Sequence, residues 1–218
     1  DQLWHEIGGL TARRDFFGTH EGLQRGAAVG FLADTNWDAT GEVVVAARQG
    51  MEWLRAAAGA MNAHTLPITW VTPDGMVVTQ RYLKTASVDV QLRGRTIKLT
   101  LHTPTEELNP ARQVSGISPN WVHSLDATHM RMVVRGMHDR GHRHFAMVHD
   151  SFGMHVGAVE ELAQVTRETF VELHRLPLLE RLRDGMQGAL PEGAALPPLP
   201  PAGDLDLEAV VDSQYFFA

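Results

Sequence analysis

An aspartate set directly after an apolar run is the first residue of this chain that could do chemistry. Phe145-Ala146-Met147-Val148 has the pattern of a short buried strand, and His149-Asp150-Ser151 follows at once. An acid at a strand end is held on a rigid element while its carboxylate can point out of the sheet, which is the placement a Mg²⁺ ligand needs. The same position also suits an ordinary turn or cap aspartate. One carboxylate is a poor ligand set by itself, because Mg²⁺ phosphoryl-transfer sites use a second acid and the substrate phosphates. Histidine offers another chemistry. His138-Asp139, His142, His144 and His149-Asp150 crowd into a short stretch of a chain with 12 histidines. Imidazoles and carboxylates together bind divalent metals, so a metal phosphohydrolase built on His138, Asp139, His142, His149 and Asp150 is one reading. In its rival, the histidines sit at a helix end, where cations meet the negative pole of the macrodipole. His123, Asp126 and His129 form a third group, spaced by three and so within an arc of roughly 120° on one helix. No Walker-type glycine loop, G-x-S-x-G elbow or cysteine is present, which removes P-loop, serine-nucleophile and thiolate chemistry.

The elements that must position these groups can be read from periodicity and punctuation. Ser118-Pro119 supplies an N-cap followed by proline at the first helical position, so a helix is expected from there to about Arg140, stopped by Gly141. It carries His123, Asp126 and His129. A return strand over Met154–Val156 is expected to pair with the run before Asp150. An amphipathic helix follows, with Val159, Leu162, Val165, Phe170 and Leu173 inward and a break at Pro177. Upstream, Val44, Ala47, Met51, Leu54, Ala58 and Met61 define one face of a helix over about 43–62, with Asp38 or Thr40 as its cap. Asp1–Ile7 and Leu23–Leu32 also admit a helical reading.

Period-two segments follow. Ile68–Thr72 and Met76–Gln80 flank Pro73-Asp74-Gly75, where Pro presets φ and Gly tolerates φ > 0; Asp74 there reads as a turn residue. A second hairpin spans 81–102, with Val88, Val90 and Leu92 on one arm, Ile97, Leu99 and Leu101 on the other, and Arg93-Gly94-Arg95 at the tip. Arg81, Lys84, Arg93, Arg95 and Lys98 face a single acid, Asp89. This ribbon reads either as an element for a groove of duplex DNA or as a solvated hairpin with edge-protecting charges. Residues 103–117 read as a polar connector. Residues 188–203 hold five of the 11 prolines and read as an extended arm. Tyr215-Phe216-Phe217 reads as a docked tail, since three aromatics would not be left to fray in water.

The composition, 44% apolar and 21% charged over 218 residues, is that of a globular protein of one large or two small domains. No apolar run approaches the ~18 residues of a transmembrane helix. A net charge of −7 argues against coating nucleic acid through bulk charge, although local charge governs any specific site. The expected fold class is mixed α and β (α+β), with β-hairpins among helices.

Four segments, in order, resemble the single-subunit, bacteriophage-type DNA-directed RNA polymerases. Ser118-Pro119-Asn120-Trp121-Val122-His123-Ser124-Leu125-Asp126-Ala127-Thr128-His129 resembles their P-N-x-V-H-S-x-D-x-x-H segment, and Phe145 to Gly153 resembles their motif C. Trp70 to Gly75 and the final Gly203-Asp204-Leu205-Asp206-Leu207 … Tyr215-Phe216-Phe217-Ala218 are also similar to members of the group, mitochondrial relatives included. The resemblance implies the C-terminal fingers and palm portion of a right-hand polymerase that transcribes DNA into RNA from NTPs. Residues 1–114 would be a fingers-side segment, 115–187 a palm segment with motif C, and 188–218 the arm and tail. Asp150 would be one of two aspartates that hold two Mg²⁺ ions. His123 would face the base pair near the growing RNA end, and His149 and Ser151 would shape the turn that presents Asp150. The hairpin at 81–102, with Arg93 and Arg95 as candidate nucleic-acid contacts, would occupy the place of the promoter-specificity loop. Phe217-Ala218 would lie close to the active site.

The family's other catalytic aspartate, in a D-x-x-x-x-G-x-Q motif, and its fingers helix do not occur in these residues. The expectation is therefore a portion with half a metal site, inactive alone, whose partners are template and promoter DNA, nascent RNA, NTPs and the rest of the same polymerase chain, with no membrane. A bacterial cytoplasm, as host of a phage or prophage, is the first expectation for location, and the mitochondrion is the alternative. A non-catalytic DNA-binding remnant using the basic hairpin is the third functional reading, beside the phosphohydrolase.

Overall fold

Apolar residues of α2 (Val45–Ala63) gather on one face from Trp53 onward, and Trp53, Leu54, Ala57, Ala58 and Met61 are buried there. The computed structural model describes residues 21–92, 95–213 and 216, with side chains described outside 21–25, 88–92 and 95–102. The expected helix at Asp1–Ile7 and the tip residues Arg93-Gly94 lie outside the described residues. So does the side chain of Arg95. Two units form, Asp1–Gly50 and Met51–Ala218.

In the first unit, α1 (Glu21–Val43) takes in the expected helical stretch at 23–32 and runs on much further. Neither Asp38 nor Thr40 is a cap, because both lie inside α1. The helical bonds pass almost unbroken through Val44, whose N–H donates to Thr40 O at 2.8 Å, and the Thr40 hydroxyl donates back to Asn36 O at 2.7 Å. Val44 is 46% exposed, so the apolar face predicted from Val44 and Ala47 is not buried at that end.

The second unit has two cores joined by one long helix. β1 (Ile68–Val71) and β2 (Val77–Gln80) form the first hairpin, closed by a turn in which Gly75 adopts φ +90°. β3 (Leu83–Leu92) and β4 (Arg95–Leu108) form the second, with register shifts between Leu83 and Thr85 and between Val88 and Val90. β4 thus takes in residues 103–108 of the predicted polar connector. In a two-stranded ribbon both strands are edges, so Thr103-Pro104-Thr105 needs no apolar alternation and tolerates proline. The extension brings Glu106 to Arg81 at 3.1 Å and Glu107 to Lys84 at 2.9 Å. Two of the five cations of the ribbon are neutralised at its base.

α3 (Pro110–Asp139) takes the rest of the connector. The predicted start at Ser118-Pro119 is corrected. Asn109 caps the helix, its side chain accepting from Arg112 N–H at 3.1 Å, with Pro110 as the first helical residue, and Pro119 lies inside the helix. A buried amide exchange fixes that start. Gln80 Nε2 donates to Gln113 O at 2.8 Å, Gln113 Nε2 donates to Gln80 O at 3.1 Å, and Gln113 is fully buried. The end is as expected. Gly141 has φ +96°, with Gly141 N–H on His138 O and His142 N–H on Met137 O, a Schellman arrangement.

At 30 residues, or ~45 Å, α3 reaches both cores. Its Ile117 joins α2, Ile68, Trp70 and the buried Leu182 and Met186 of α5 (Leu178–Ala189). Its Val133 and Met137 join Ala158 and the buried Leu162 and Val165 of α4 (Val159–His174). Val159, predicted inward, is 48% exposed at the start of α4. The proline-rich arm lies on the first core through Leu190, Leu196 and Leu199, and Trp53 Nε1–H donates to Pro197 O at 3.0 Å. Among the described residues no helix is long and apolar enough to cross a membrane.

Candidate active site

Asp150 lies in a tight connection between two short strands. β5 (Ala146–Val148) pairs with β6 (Ser151–Gly153), Val148 opposite Ser151, which leaves His149-Asp150 as a two-residue turn. The return strand therefore starts at Ser151, not Met154. Nor is β5 buried as predicted, since Val148 is 66% exposed. A lone hairpin has one inward face, and Phe145, Met147, Phe152 and Met154 pack on the α3–α4 core while the other face stays open. His149 carries φ +53°, a left-handed conformation in which histidine is one of the tolerated non-glycine residues. Gly153 sits hard against the partner strand, where an added Cβ would be 3.0 Å from Ala146 O. The turn presents Asp150 exposed, and among the described residues no cation pairs with it.

Asp150 borders two clefts. One is lined by His123, Asp126, Ala127 and Met130 of α3 with His149 and Asp150. The other is lined by Asp150, Ser151 and Phe152 of the hairpin with Leu162, Thr166 and Arg167 of α4 among others. The first gathers three sequence candidates, His123, His149 and Asp150, and Ser151 faces the second. Sequence reasoning passed over Ala127 and Met130 as site residues, although their spacing held the signal. Residues 123, 126, 127 and 130 follow the i, i+3, i+4, i+7 rule of a single helix face.

His129, grouped with His123 and Asp126 by its spacing of three, turns away. It is 5% exposed, and its Nε2 lies 2.9 Å from Thr166 O. A carbonyl only accepts, so Nε2 carries the proton. Burial pushes the His129 imidazole below its ordinary pKa, partly opposed by that hydrogen bond. It is thus neutral at physiological pH and belongs to the packing between α3 and α4.

The histidine-rich stretch does not assemble a metal centre. Among the described residues no three histidine, aspartate or glutamate side chains converge as ligands. His142 Nε2 meets Glu161 at 2.8 Å, Arg140 reaches both Glu161 and Glu168, and His144 packs edge-on to His155 at 5.7 Å. Helix α3 ends within this stretch, and its histidines are spent on separate local contacts. The phosphohydrolase reading therefore loses its ligand set. Asp150 itself fits one corner of a Mg²⁺ site, since it is an exposed, unpaired, hard oxygen donor. The remaining ligands must come from elsewhere.

The framework behind the cleft is pinned by ion pairs and amides. Asp74, predicted as a turn residue, does accept from Thr72 Oγ1 at 2.6 Å, but Arg131 of α3 also grips it through Nε and Nη2. The guanidinium, with help from Thr72, holds the Asp74 carboxyl well below the usual carboxylate range, and Asp74 in turn raises Arg131. Asn120 Nδ2 donates to Gln80 Oε1 at 2.8 Å and to the Tyr82 hydroxyl at 3.0 Å, tying the root of the β3–β4 hairpin to α3. Trp70 Nε1–H donates to Ser124 Oγ at 2.9 Å, one residue from His123.

These features coincide with a family. The DNA-dependent RNA polymerase family matches residues 10–196. The chain is 38% identical over 191 residues, 88% of its length, to the DNA-directed RNA polymerase 1, mitochondrial, of Nicotiana sylvestris, and covers 19% of that protein. It is 38% identical over 187 residues to the DNA-directed RNA polymerase 3, chloroplastic, of the same plant, again covering 19%. Against the DNA-directed RNA polymerase 2A of Nicotiana tabacum the identity is also 38%, over 86% of this chain and 55% of the relative. The chain thus spans about a fifth of the length of the first two relatives. With the hairpin that carries Asp150, the helix that carries His123 and most of the remaining chain inside the matched range, this protein belongs to the phage-type, single-subunit DNA-dependent RNA polymerases.

Proposed function

We propose that this chain is the C-terminal fingers and palm portion of a polymerase that copies a DNA template into RNA from NTPs, and that Asp150 is one of the carboxylates that hold its catalytic Mg²⁺. The observation that carries this reading is the Asp150 carboxylate, exposed and unpaired on a two-residue turn between two clefts. Residues 1–114 serve as the fingers side, 115–187 as the palm and 188–218 as arm and tail. The longer polymerase supplies the second aspartate, the promoter-binding parts and the NTP-binding helix.

Asp150 and that aspartate would hold two Mg²⁺ ions, whose chemistry would be to lower the pKa of the RNA 3′-hydroxyl and to stabilise the charge of the leaving pyrophosphate. The residues of this chain do the positioning. The left-handed His149 turns Asp150 away from the hairpin, and Ser151 closes the turn by pairing with Val148. His123 lines the first cleft together with Asp150 and, on this reading, faces the end of the RNA–DNA duplex. Arg93 and Arg95, in the 81–102 segment that the resemblance aligns with the promoter-specificity loop, meet promoter DNA. The mitochondrial and chloroplastic names of the relatives favour the mitochondrial alternative over a bacterial host.

The test is Asp150→Asn in the full polymerase. Nucleotide addition falls by about three orders of magnitude, the scale of losing a principal electrostatic stabiliser, while promoter binding persists. The isolated 218-residue chain, with one carboxylate of the pair, makes no RNA. Near-normal elongation by the variant, or RNA synthesis by the isolated chain, refutes the assignment.

A further inference from the structure

Behind the Asp150 hairpin runs a row of rings for which the proposed chemistry has no use. Phe152, two residues after Asp150, meets the His129 ring edge-on at 5.7 Å. His129 meets Phe170 of α4 at 5.6 Å, again edge-on. Phe170 meets Phe216 of the C-terminal segment at 4.8 Å, interplanar angle 72°. Each contact has the edge-to-face geometry and spacing that favour aromatic pairs. His129 is also bonded to Thr166 O, and Thr166 lines the second Asp150 cleft.

The far end of the row is clamped by one side chain. Arg167 donates through Nε and Nη2 to Ser213 O, at 3.1 and 2.9 Å, and through Nη1 to Ala163 O at 2.8 Å. Its guanidinium lies over the Phe216 ring at 6.0 Å. The same Arg167 lines the second Asp150 cleft. Hairpin, α3, α4 and C-terminal segment therefore meet at one small group, Phe152, His129, Phe170, Phe216 and Arg167.

We propose that His129 is a positioning residue that braces the Asp150 hairpin from behind, and that the C-terminal segment, held by Arg167, completes the brace through Phe216 and Phe170. Among the described residues the hairpin has no third strand to steady it, and its two strands pair only with each other. A two-stranded hairpin is marginal in water and takes its stability from what it packs on. Phe152 is the ring of β6 turned to that packing, and His129 is the buried polar ring that meets it. The neutral imidazole suits the task, since it spans the two helices with one hydrogen bond and presents ring edges and faces on both sides. The inference rests on the polymerase reading for its functional consequence, but not for its structural one.

The experiment is amide hydrogen exchange on the metal-free full polymerase, comparing wild type with His129→Gln, Phe216→Ala and the double variant. In each single variant the peptide spanning residues 145–154 exchanges roughly three- to tenfold faster, the scale of losing one aromatic contact from a local opening equilibrium. The α2 core around Trp53 and Met61 stays unchanged. The double variant exchanges less fast than the product of the two single effects, because both act on one brace. Elongation slows in step with hairpin exchange, while promoter binding holds. If His129→Gln does not fold, Phe216→Ala and Arg167→Met, at the half-buried end of the row, carry the same readout. Unchanged exchange in the hairpin, or an equal rise in the α2 core, overturns the brace. Asp150→Asn separates the two proposals. If that variant still elongates, the assignment of Asp150 as a metal ligand falls while the structural brace stands. If it fails to elongate while hairpin exchange is unmoved in the brace variants, only the brace falls.

Discussion

Asp74→Asn is expected to destabilise the second unit by about 2 kcal/mol at neutral pH, and to do so in a pH-dependent way. In the native protein Oδ1 accepts from Thr72 Oγ1 at 2.6 Å and from Arg131 Nη2 at 2.9 Å, while Oδ2 accepts from Arg131 Nε. Thr128 Oγ1 lies 3.2 Å from Oδ1 but has a closer acceptor, Ser124 O at 2.8 Å, for its single proton. The carboxylate therefore has three firm donors. Asparagine keeps one acceptor oxygen, turns an N–H₂ toward the guanidinium and removes the charge. Hydrogen bonds to a charged group contribute about 1.5–3 kcal/mol each when sheltered, whereas exposed ion pairs contribute about 0–1. With side chains 19% exposed at Asp74 and 36% at Arg131, the pair lies between these limits, hence the figure. The pH dependence follows from linkage. The folded-state pKa of Asp74 is depressed below its ordinary value of 3.8, so the unfolded chain binds the proton first as pH falls. The contribution is complete above the ordinary value and is lost below it at about 1.4 kcal/mol per pH unit, so the gap between wild type and variant closes within about two units. Urea unfolding followed by tryptophan fluorescence measures this, since Trp70 is in β1 beside the turn. Arg131→Gln adds little in the Asp74→Asn background. A gap below about 0.5 kcal/mol at neutral pH, or one that stays constant down to about pH 3, refutes the reasoning.

Two further substitutions test the framework. Gly116→Ala places a Cβ 2.6 Å from Tyr82 Cε2, so the ring must shift and the Asn120 bond to its hydroxyl weakens. The expected cost is about 1–3 kcal/mol, read as a fall in unfolding midpoint, and an unchanged midpoint would mean that the Tyr82 ring is free to move. Trp53→Phe keeps an apolar ring in a site 5% exposed but removes the donor to Pro197 O, for a loss of about 1 kcal/mol. Limited proteolysis within residues 188–203 accelerates if that bond holds the arm, and an unaltered cleavage rate would show that Leu190, Leu196 and Leu199 hold it without help.

Much of this architecture was legible because the deciding forces are local. Leu54, Ala58 and Met61 recur on one helix face, and that face is buried. Pro73-Asp74-Gly75 makes the predicted turn, and Gly141 ends α3 with φ > 0. What was not legible depends on contacts far apart in sequence. Asn109-Pro110 and Ser118-Pro119 are equivalent start signals by any local rule. The earlier one wins because a helix begun there buries Gln113 against Gln80, an exchange of amides across 33 residues. Arg81 and Lys84 look like free cations until β4 extends and delivers Glu106 and Glu107 beside them. Asp74 is a turn residue by sequence and a partner of Arg131 only in the fold, 57 residues away. The turn at His149-Asp150 was legible from the strand–acid junction, but the strand was not the buried one its apolar residues suggest. A lone hairpin exposes one face, which no local pattern declares.

The charge of the first cleft also bears on the cation proposed to bind there. His123 and His149 line it together with two acids, Asp126 and Asp150, and among the described residues neither acid is paired with a cation. Elsewhere in the second unit the acids near the framework are matched, Asp74 with Arg131, Glu161 and Glu168 with Arg140, Glu208 with Arg175. An acidic cleft repels a triphosphate and a nucleic-acid backbone alike, and the repulsion grows as water is excluded. In the proposed reaction, divalent cations held by Asp150 would offset that repulsion, so the charge pattern that makes the bare cleft hostile to phosphate is consistent with a Mg²⁺ site there. The same pattern explains why Asp150→Asn is not expected to preserve activity by removing repulsion. Such a variant lowers the local negative charge but deletes the oxygen donor that brings the cation, and on this account rate is lost even where affinity for phosphate is gained.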